Sequence, residues 1–536
     1  MRLLSAAILA LSAFSTPTPL LADGKPVPEI DFLTWPSAKY QHYYETSAYI
    51  AEAWEKLGIP VKLNPQPFPQ PMLGMWFTEH KFDVVLSVLS GSPARLDPEF
   101  YAANQFWTNS SSPGGMNVGS FSSKKIDALI AVQRRLYDAE ARRKVVYELQ
   151  AAIQEEQPEG LIASVINTTA INTDNVELEG YENSPDGVRS IWNLMRITPK
   201  NGQKMVKLGW TIDQASWNPL TFKTLEELDR LGLVYDRLVV IGPDGQPKMW
   251  AATSFEVVDD TTIAVEIRDG LTFSDGKPLT AEDVAFSYQF LRDNNAIYFK
   301  NVLVSLKDVS VDGNKVRFSL SEPTATFIAA GFGQIPILPK HVWSTIVADK
   351  GLTAPQDYKN VEIVGSGPYR LKYWKEGQEI YFERNPDHFM APPADLLMIQ
   401  FGSAEVLAAS LRKGEIDVSL QPLVPTVIEE FAAEDNLQLI QAQSNGYMSA
   451  RYNTKTEFFS HKAVRQALAH AIPYEAIIEE VLGGDATATP SQIVPANAFW
   501  TNKDLKVPEY NLDKAREILK AAGFTWDDKG MLHFPE

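Results

Sequence analysis

Apolar residues along the chain follow two rhythms. Short unbroken runs predict buried strands, and a recurrence every three to four residues predicts helices with one buried face. The run over 30–35 (IDFLTW) predicts a strand. Residues 43–57 predict a helix that Gly58 ends before a second strand over 61–63. Residues 81–88 (KFDVVLSV) predict another buried strand. Asp138 stands where its carboxylate can accept a free backbone N–H from the first turn of the next helix. Ala141, three residues on, leaves no reciprocal capping partner, while Glu140 suits the positive end of the helix dipole. Val145, Leu149 and Ile153 form the apolar stripe of that helix. Further on, a strand over 206–212 leads to a turn at Asn218-Pro219. Alternating strands fill 254–268 and 309–320, with Asp312-Gly313-Asn314 as a hairpin turn. Thr280 and Asp283 open a helix that buries Val284, Tyr288 and Leu291. Asn511 caps a helix carrying Ala515, Leu519 and Ala522, which Gly523 closes. Strands and helices are interleaved throughout, so the predicted fold class is α/β.

The polar stretch 197–205 (ITPKNGQKM) reads as a linker between a block over 24–196 and a block from 206 onward. The N-terminal residues have the layout of a secretory signal peptide over 1–22: Arg2, an apolar run over 3–14, a Pro/Thr break, and Ala22 before Asp23. A bilayer-spanning helix needs about 20 apolar residues, more than this run supplies. Cysteine is absent, which removes disulfides, thiolate zinc sites, thiol nucleophiles and a lipidated N-terminal Cys. The expected location is therefore the periplasm, without a lipid anchor.

Lys and Arg number 49 against 67 Asp and Glu, a formal charge of −18 that argues against nucleic acid as a partner. No phosphate-cradling loop or dinucleotide fingerprint is present, and Gly365-Ser366-Gly367 lacks the third glycine and following helix. The seven His residues show no metal-ligand spacing, and Ser90-Gly91-Ser92-Pro93 is not a nucleophile elbow. The expectation is a protein without enzymatic activity, cofactor or metal. What the chain does have is twelve Trp, a residue suited to stacking in a binding cleft as well as to cores. At least eight of them are expected in cores.

Residues 265–284 (VEIRDGLTFSDGKPLTAEDV) resemble the signature segment of the family 5 extracytoplasmic solute-binding proteins of ABC importers, the peptide, nickel and oligosaccharide group. Further segments resemble later landmarks of that family in order: 216–219 (SWNP), 336–341 (PILPKH), 365–369 (GSGPY), 384–386 (RNP), 411–417 (LRKGEID), 451–472 and the helix at 511–523. Residues 81–88, Asp97-Pro98, 117–127 and the helix over 138–156 before Gln157-Pro158 resemble the family's C-terminal third, yet precede the rest. Residues 24–35 read as the continuation of 527–536. The resemblance thus implies a circularly permuted member, with a chimaeric or truncated reading frame as the competing account.

The resemblance implies a two-lobed periplasmic-binding-protein fold of type II with an extra inserted domain. Lobe two would hold 24–165 and 448–536, lobe one 166–235 and 360–447, and the inserted domain 236–359, with 197–205 joining the family's usual termini. Function would be delivery of a peptide-like organic solute to ABC permease subunits in the membrane by hinge closure, with the protein a monomer. An oligosaccharide is the second ligand class, and an exported hydrolase or a periplasmic chaperone are rivals from other classes. Peptide-binding relatives pair a lobe-two carboxylate with the peptide ammonium, and the matching position here is Ala94. The ligand-binding candidates are Ser92, Arg95 and Asp97 near it, Asp213 and Trp217 in the loop 213–219, Asn445 and Tyr447 near the crossover, and Phe499 and Trp500 in lobe two.

Overall fold

The computed structural model describes residues 24–92 and 95–536, so the predicted signal peptide and Ala94 lie outside it. Twelve strands build one sheet. In chain order they are β1 (Ile30–Thr34), β2 (Val61–Pro65), β3 (Val84–Leu89), β4 (Glu159–Asn172), β5 (Met205–Trp210) and β6 (Tyr369–Lys375). Then come β7 (Glu379–Arg384), β8 (Asp395–Gln400), β9 (Val418–Ser419), β10 (Leu437–Gln443), β11 (Tyr447–Tyr452) and β12 (Ala486–Ala488). Their order is β6-β7-β8-β5-β9-β4-β11-β3-β1-β2, with β10 and β12 also on β4. The parallel strands β1, β3 and β5 are the apolar runs seen in the sequence, buried because both of their faces are covered.

Strand β4 divides the sheet. Its first half pairs with β11 and β12, from Glu159↔Arg451 to Val165↔Ala486. Its second half pairs with β10, from Ile166↔Gln443 to Asn172↔Leu437. The chain crosses back between β10 and β11 through Ser444, Asn445 and Gly446. The two crossings are tied together by Ser444 N donating to Val165 O (2.9 Å) and Ser164 Oγ donating to Ser444 O (2.6 Å). Gly446 is required there, because a Cβ would lie 2.1 Å from the Leu89 carbonyl oxygen. Each half has its own core. One includes Phe32, Trp54, Val85, Ala450, Leu468 and Leu519, and the other Leu208, Trp217, Leu231, Val265, Tyr288 and Phe382. The chain is thus a mixed α/β protein of two lobes joined by two strand crossings. The four-stranded antiparallel sheet within 252–320 shares the second core rather than forming its own.

Helices α1 (Gln41–Glu55), α2 (Lys124–Arg135), α3 (Ala139–Glu156) and α4 (Leu225–Val234) flank the sheet. The Asp138 carboxylate accepts from Ala141 N at 2.7 Å, as its position requires. In α3 the fully buried valine is Val146, not Val145, because the helix also packs against α2. The Asp283 carboxylate accepts from Thr280 N (2.9 Å) and from Thr280 Oγ1 (2.8 Å), and Asn511 accepts from Lys514 N. The stretch 197–205 is more ordered than a linker. Ile197–Pro199 pairs with Val176–Leu178, and Met205 already belongs to β5, so only 200–204, with the turn at Asn201 and Gly202, is free of strand. Residues 24–27 run beside 532–534, with Val27 N donating to Leu532 O and Phe534 N to Lys25 O. Eight Trp are buried: 35, 54, 76, 210, 217, 250, 343 and 500. Among the described residues, no helix is long and apolar enough to cross a membrane.

Candidate functional site

Helix α4 follows directly on the loop 213–219, and its capping box fixes where it starts. Thr224 Oγ1 accepts from Glu227 N, and Glu227 reaches back to Thr224 N. Glu227 also accepts from Ser216 N, which ties the loop to the helix. The apolar side chains Leu228 and Leu231 face the core, and the helix turns Glu226, Asp229 and Arg230 toward a cavity of about 980 Å³, counting the space at its open mouth. Residues Asp186, Arg189 and Arg237 complete its charged wall, and Trp192, Trp210 and Trp250 its aromatic wall. Trp192 and Trp250 meet edge to face at 5.5 Å, and Trp192 Nε1 donates to Ile241 O. Arg230 lies over the Trp210 ring at 4.8 Å, held by Gln214 Oε1 (2.7 Å) and the Ile212 carbonyl (2.9 Å).

Burial sets the electrostatics of this wall. It pushes Asp186 up to about 7, against the opposing pull of Arg189 at 3.5 Å and with a further push from Asp229. It raises Asp229 too, although that side chain has open surface, because the surface belongs to the cavity and protein surrounds the group. Burial also pushes Arg230 down to about 10 and lowers Arg237. A carboxyl whose folded pKa lies above its unfolded value holds its proton more tightly in the folded state. The stability it contributes is complete below the ordinary value of 3.8 and is lost as pH rises toward about 7. Resistance to urea is therefore expected to increase when the pH is lowered from about 7.5 to about 5.5, and Asp186→Asn to flatten that trend. An unchanged slope in D186N would assign the effect to another group.

The sequence candidates fall into separate places. Asp213 is exposed beside the cavity, in an adjoining pocket of about 250 Å³ that shares Trp210 and Arg230. Ser92, Arg95, Asn445 and Tyr447 come together at the second crossing. Asn445 Nδ2 donates to Ser92 O (2.8 Å), Arg95 Nη1 donates to Ser90 O (2.8 Å), and Tyr101 meets Tyr447 edge to face at 5.7 Å. None of the four lines the cavity. Besides burial, Tyr101 feels both Arg95 and Asp186, and Tyr298 feels both Arg95 and Asp229. Trp217 is a correction: it is fully buried between Trp374 and Phe382 and offers no surface to a solute. Tyr447 and Trp500 are also buried, the first with its hydroxyl on Glu159 and the second in a small core under α2 and α3. Both Asp97 oxygens accept from Arg142 at 2.7 Å, so that carboxylate holds the fold. Phe499 packs on Trp500 at 4.8 Å, with Arg143 over its ring at 5.0 Å. The sequence reading missed Asp186, Asp229 and Arg230. Its available signal was the Asp229-Arg230 pair, which continues the charges of Glu226 and Glu227 into the middle of the helix LEELDRLGLV. Among the described residues, no group of three or more His, Asp or Glu is placed to hold a metal ion.

The family model described as bacterial extracellular solute-binding proteins, family 5 Middle, matches residues 246–535. The oligopeptide-binding protein AppA of Bacillus subtilis (strain 168) is 33% identical over 274 residues, covering 49% of this chain and 48% of its own. Heme-binding protein A of Haemophilus influenzae is 29% identical over 321 residues, covering 54% of this chain and 56% of its own. The solved structure of B. subtilis AppA in complex with a nonapeptide is 27% identical, covers 61% of this chain and 66% of that one, and has a TM-score of 0.46. The chain spans about half the length of the curated relatives it matches.

Proposed function

Because the chain belongs to the bacterial extracellular solute-binding proteins of family 5, we propose that it binds a peptide-like organic solute in the periplasm and delivers it to the permease subunits of an ABC importer. The observation that carries this reading is the open cavity beside α4. A cavity walled by both signs of charge and by three Trp suits a short polar chain with apolar side groups. The two crossings give the lobes a common hinge, so closure would seal the solute in and present one closed surface to the membrane subunits. The solute would favour closure only as far as it binds the closed state better. The names of the relatives, oligopeptide-binding and heme-binding, are in keeping with an organic solute. The three Trp of the wall favour an oligosaccharide as the second reading, through stacking on sugar faces.

The order of the segments is part of the proposal. Residues 24–165 supply β1, β2, β3 and half of β4 to the sheet half that β11 completes, as in a circular permutant whose lobe two is built from both blocks. A thermal-shift screen of the purified chain tests the function. A solute at a hundred times its dissociation constant is expected to add about 2.7 kcal/mol of stability. Shifts from peptides, with no turnover of the peptide, are the expected result. Shifts from oligosaccharides alone would move the assignment to the second reading, and hydrolysis of a bound solute would make the chain an enzyme.

A further inference from the structure

The lobes also touch at the corner between α2 and α3, which shares no residue with the strand crossings or the cavity lining. Tyr137 Oη accepts from Thr324 N (3.1 Å) and donates to the Asp260 carbonyl (3.0 Å). The Arg134 carbonyl, in the last turn of α2, accepts from Ala325 N at 2.7 Å. Thr324 and Ala325 lead into helix α5 (Thr326–Gln334). A helix leaves its last carbonyls and its first N–H groups without partners of its own. Here the end of a helix in one lobe meets the start of a helix in the other, negative pole to positive. The lobe-two side of the contact is held firmly. Arg134 pairs with Glu99 and lies over the Trp107 ring at 3.7 Å, and Asp138 caps α3 next door. Among the described residues, Tyr137 is the only hydrophobic side chain from lobe two that packs against the core of lobe one. A second seam lies at Gly245, where a Cβ would stand 2.5 Å from Asn497 Oδ1 of lobe two.

We propose that the α2–α3 corner is a latch on the closed form, in which Tyr137 and the Arg134 carbonyl hold the start of α5 and the Asp260 turn and so prolong closure. The inference rests on the hinge motion proposed above and on no class of solute. Opening breaks the three hydrogen bonds and returns their groups to water. Each such bond is worth a net factor of about twofold to tenfold in the closed-to-open ratio. A latch of that strength biases the lobes toward closure and still lets them part. Helix α5 reaches the cavity at its other end, where Gly333 stands in the lining. A bound solute leaves when the lobes open, so its residence time follows the latch.

The chain has no cysteine, so two introduced thiols are the only ones a dye can label. Lys503→Cys on lobe two and Lys307→Cys on lobe one, both at exposed positions, carry a dye pair for single-molecule energy transfer without added solute. In this labelled parent, Tyr137→Phe keeps the ring and removes the hydroxyl from both of its bonds. Ala325→Pro removes the N–H that Arg134 accepts, at a residue whose φ of −59° already suits proline. Each variant is expected to lower the closed-to-open ratio by about threefold to tenfold, with its urea midpoint unchanged. Y137F decides alone if A325P does not fold. A Y137F ratio that is unchanged, or moved toward the closed distance, would overturn the latch and leave hinge closure standing. One distance shared by the parent and both variants would overturn the hinge motion, and the latch with it.

Discussion

Replacing Glu159 with alanine is expected to lower the free energy of unfolding by about 3–5 kcal/mol, which is the range for breaking a buried ion pair by removing one partner. The Glu159 carboxylate is fully enclosed and is the acceptor for a whole cluster. It takes hydrogen bonds from Ser449 Oγ (2.6 Å), Arg451 Nη2 (2.7 Å) and Nε (3.1 Å), Gln492 Nε2 (2.9 Å) and Tyr447 Oη (3.2 Å). Its removal strands the Arg451 guanidinium, 3% exposed at the side chain, with only Gln105 and Tyr447 beside it. Glu159→Gln keeps an acceptor and loses the charge, so it should cost less than alanine. Urea denaturation reads both. A loss below about 1 kcal/mol in E159A, the scale of an exposed pair, would mean that water reaches Arg451 and that the cluster does not hold β4 to β11.

Trp217→Ala is expected to cost about 3–5 kcal/mol of stability, the usual range for truncating a buried aromatic. The ring is fully buried, edge to face with Phe382 at 6.0 Å and Trp374 at 6.4 Å. The backbone at this position is tied down as well, since the Trp217 carbonyl accepts from Asn360 Nδ2 at 2.8 Å. Its indole N–H is buried without a partner, so Trp217→Phe removes an unsatisfied donor and should cost distinctly less than alanine. Solute affinity of the folded W217A chain should change little. If affinity fell sharply while stability held, Trp217 would be a wall of the cleft.

Local chemistry was legible in the sequence. The caps at Asp138, Thr280 and Asn511 each depend on a side chain and a backbone three residues away, and a reader of residues sees both. The buried runs that became β1, β3 and β5 were legible for a similar reason, because strands covered on both faces lose their polar alternation. The stretch 197–205 was not, since the strand at Ile197–Pro199 exists only because Val176–Leu178 lies beside it. The site was harder still. Asp229 and Arg230 read as an ordinary solvated stripe until the sheet and the 186–194 segment close over them. Of the two candidates in the loop 213–219, Asp213 lies at the cavity's edge and Trp217 in the core, and indole volume suits either place. Arg95 was legible as a charge and not as a group that acts on Tyr298, some two hundred residues away in the chain.

The pairing of β3 with β11 sets a clock on the growing chain. Val84–Leu89 leaves the ribosome early, but Tyr447–Tyr452, its partner on one side, follows some hundreds of residues later. At about 5–20 residues per second the wait is about 20–70 s. Through that interval β1, β2 and β3 form a parallel patch with a bare edge, and the first half of β4 has neither β11 nor β12 to join. Unpaired apolar edges of this kind recruit other chains. The other lobe needs only the second half of β4 before it and can close around β5 to β10 first. Assembly therefore finishes at the end that began it, and the nascent chain depends on whatever shields that edge until residue 452 emerges.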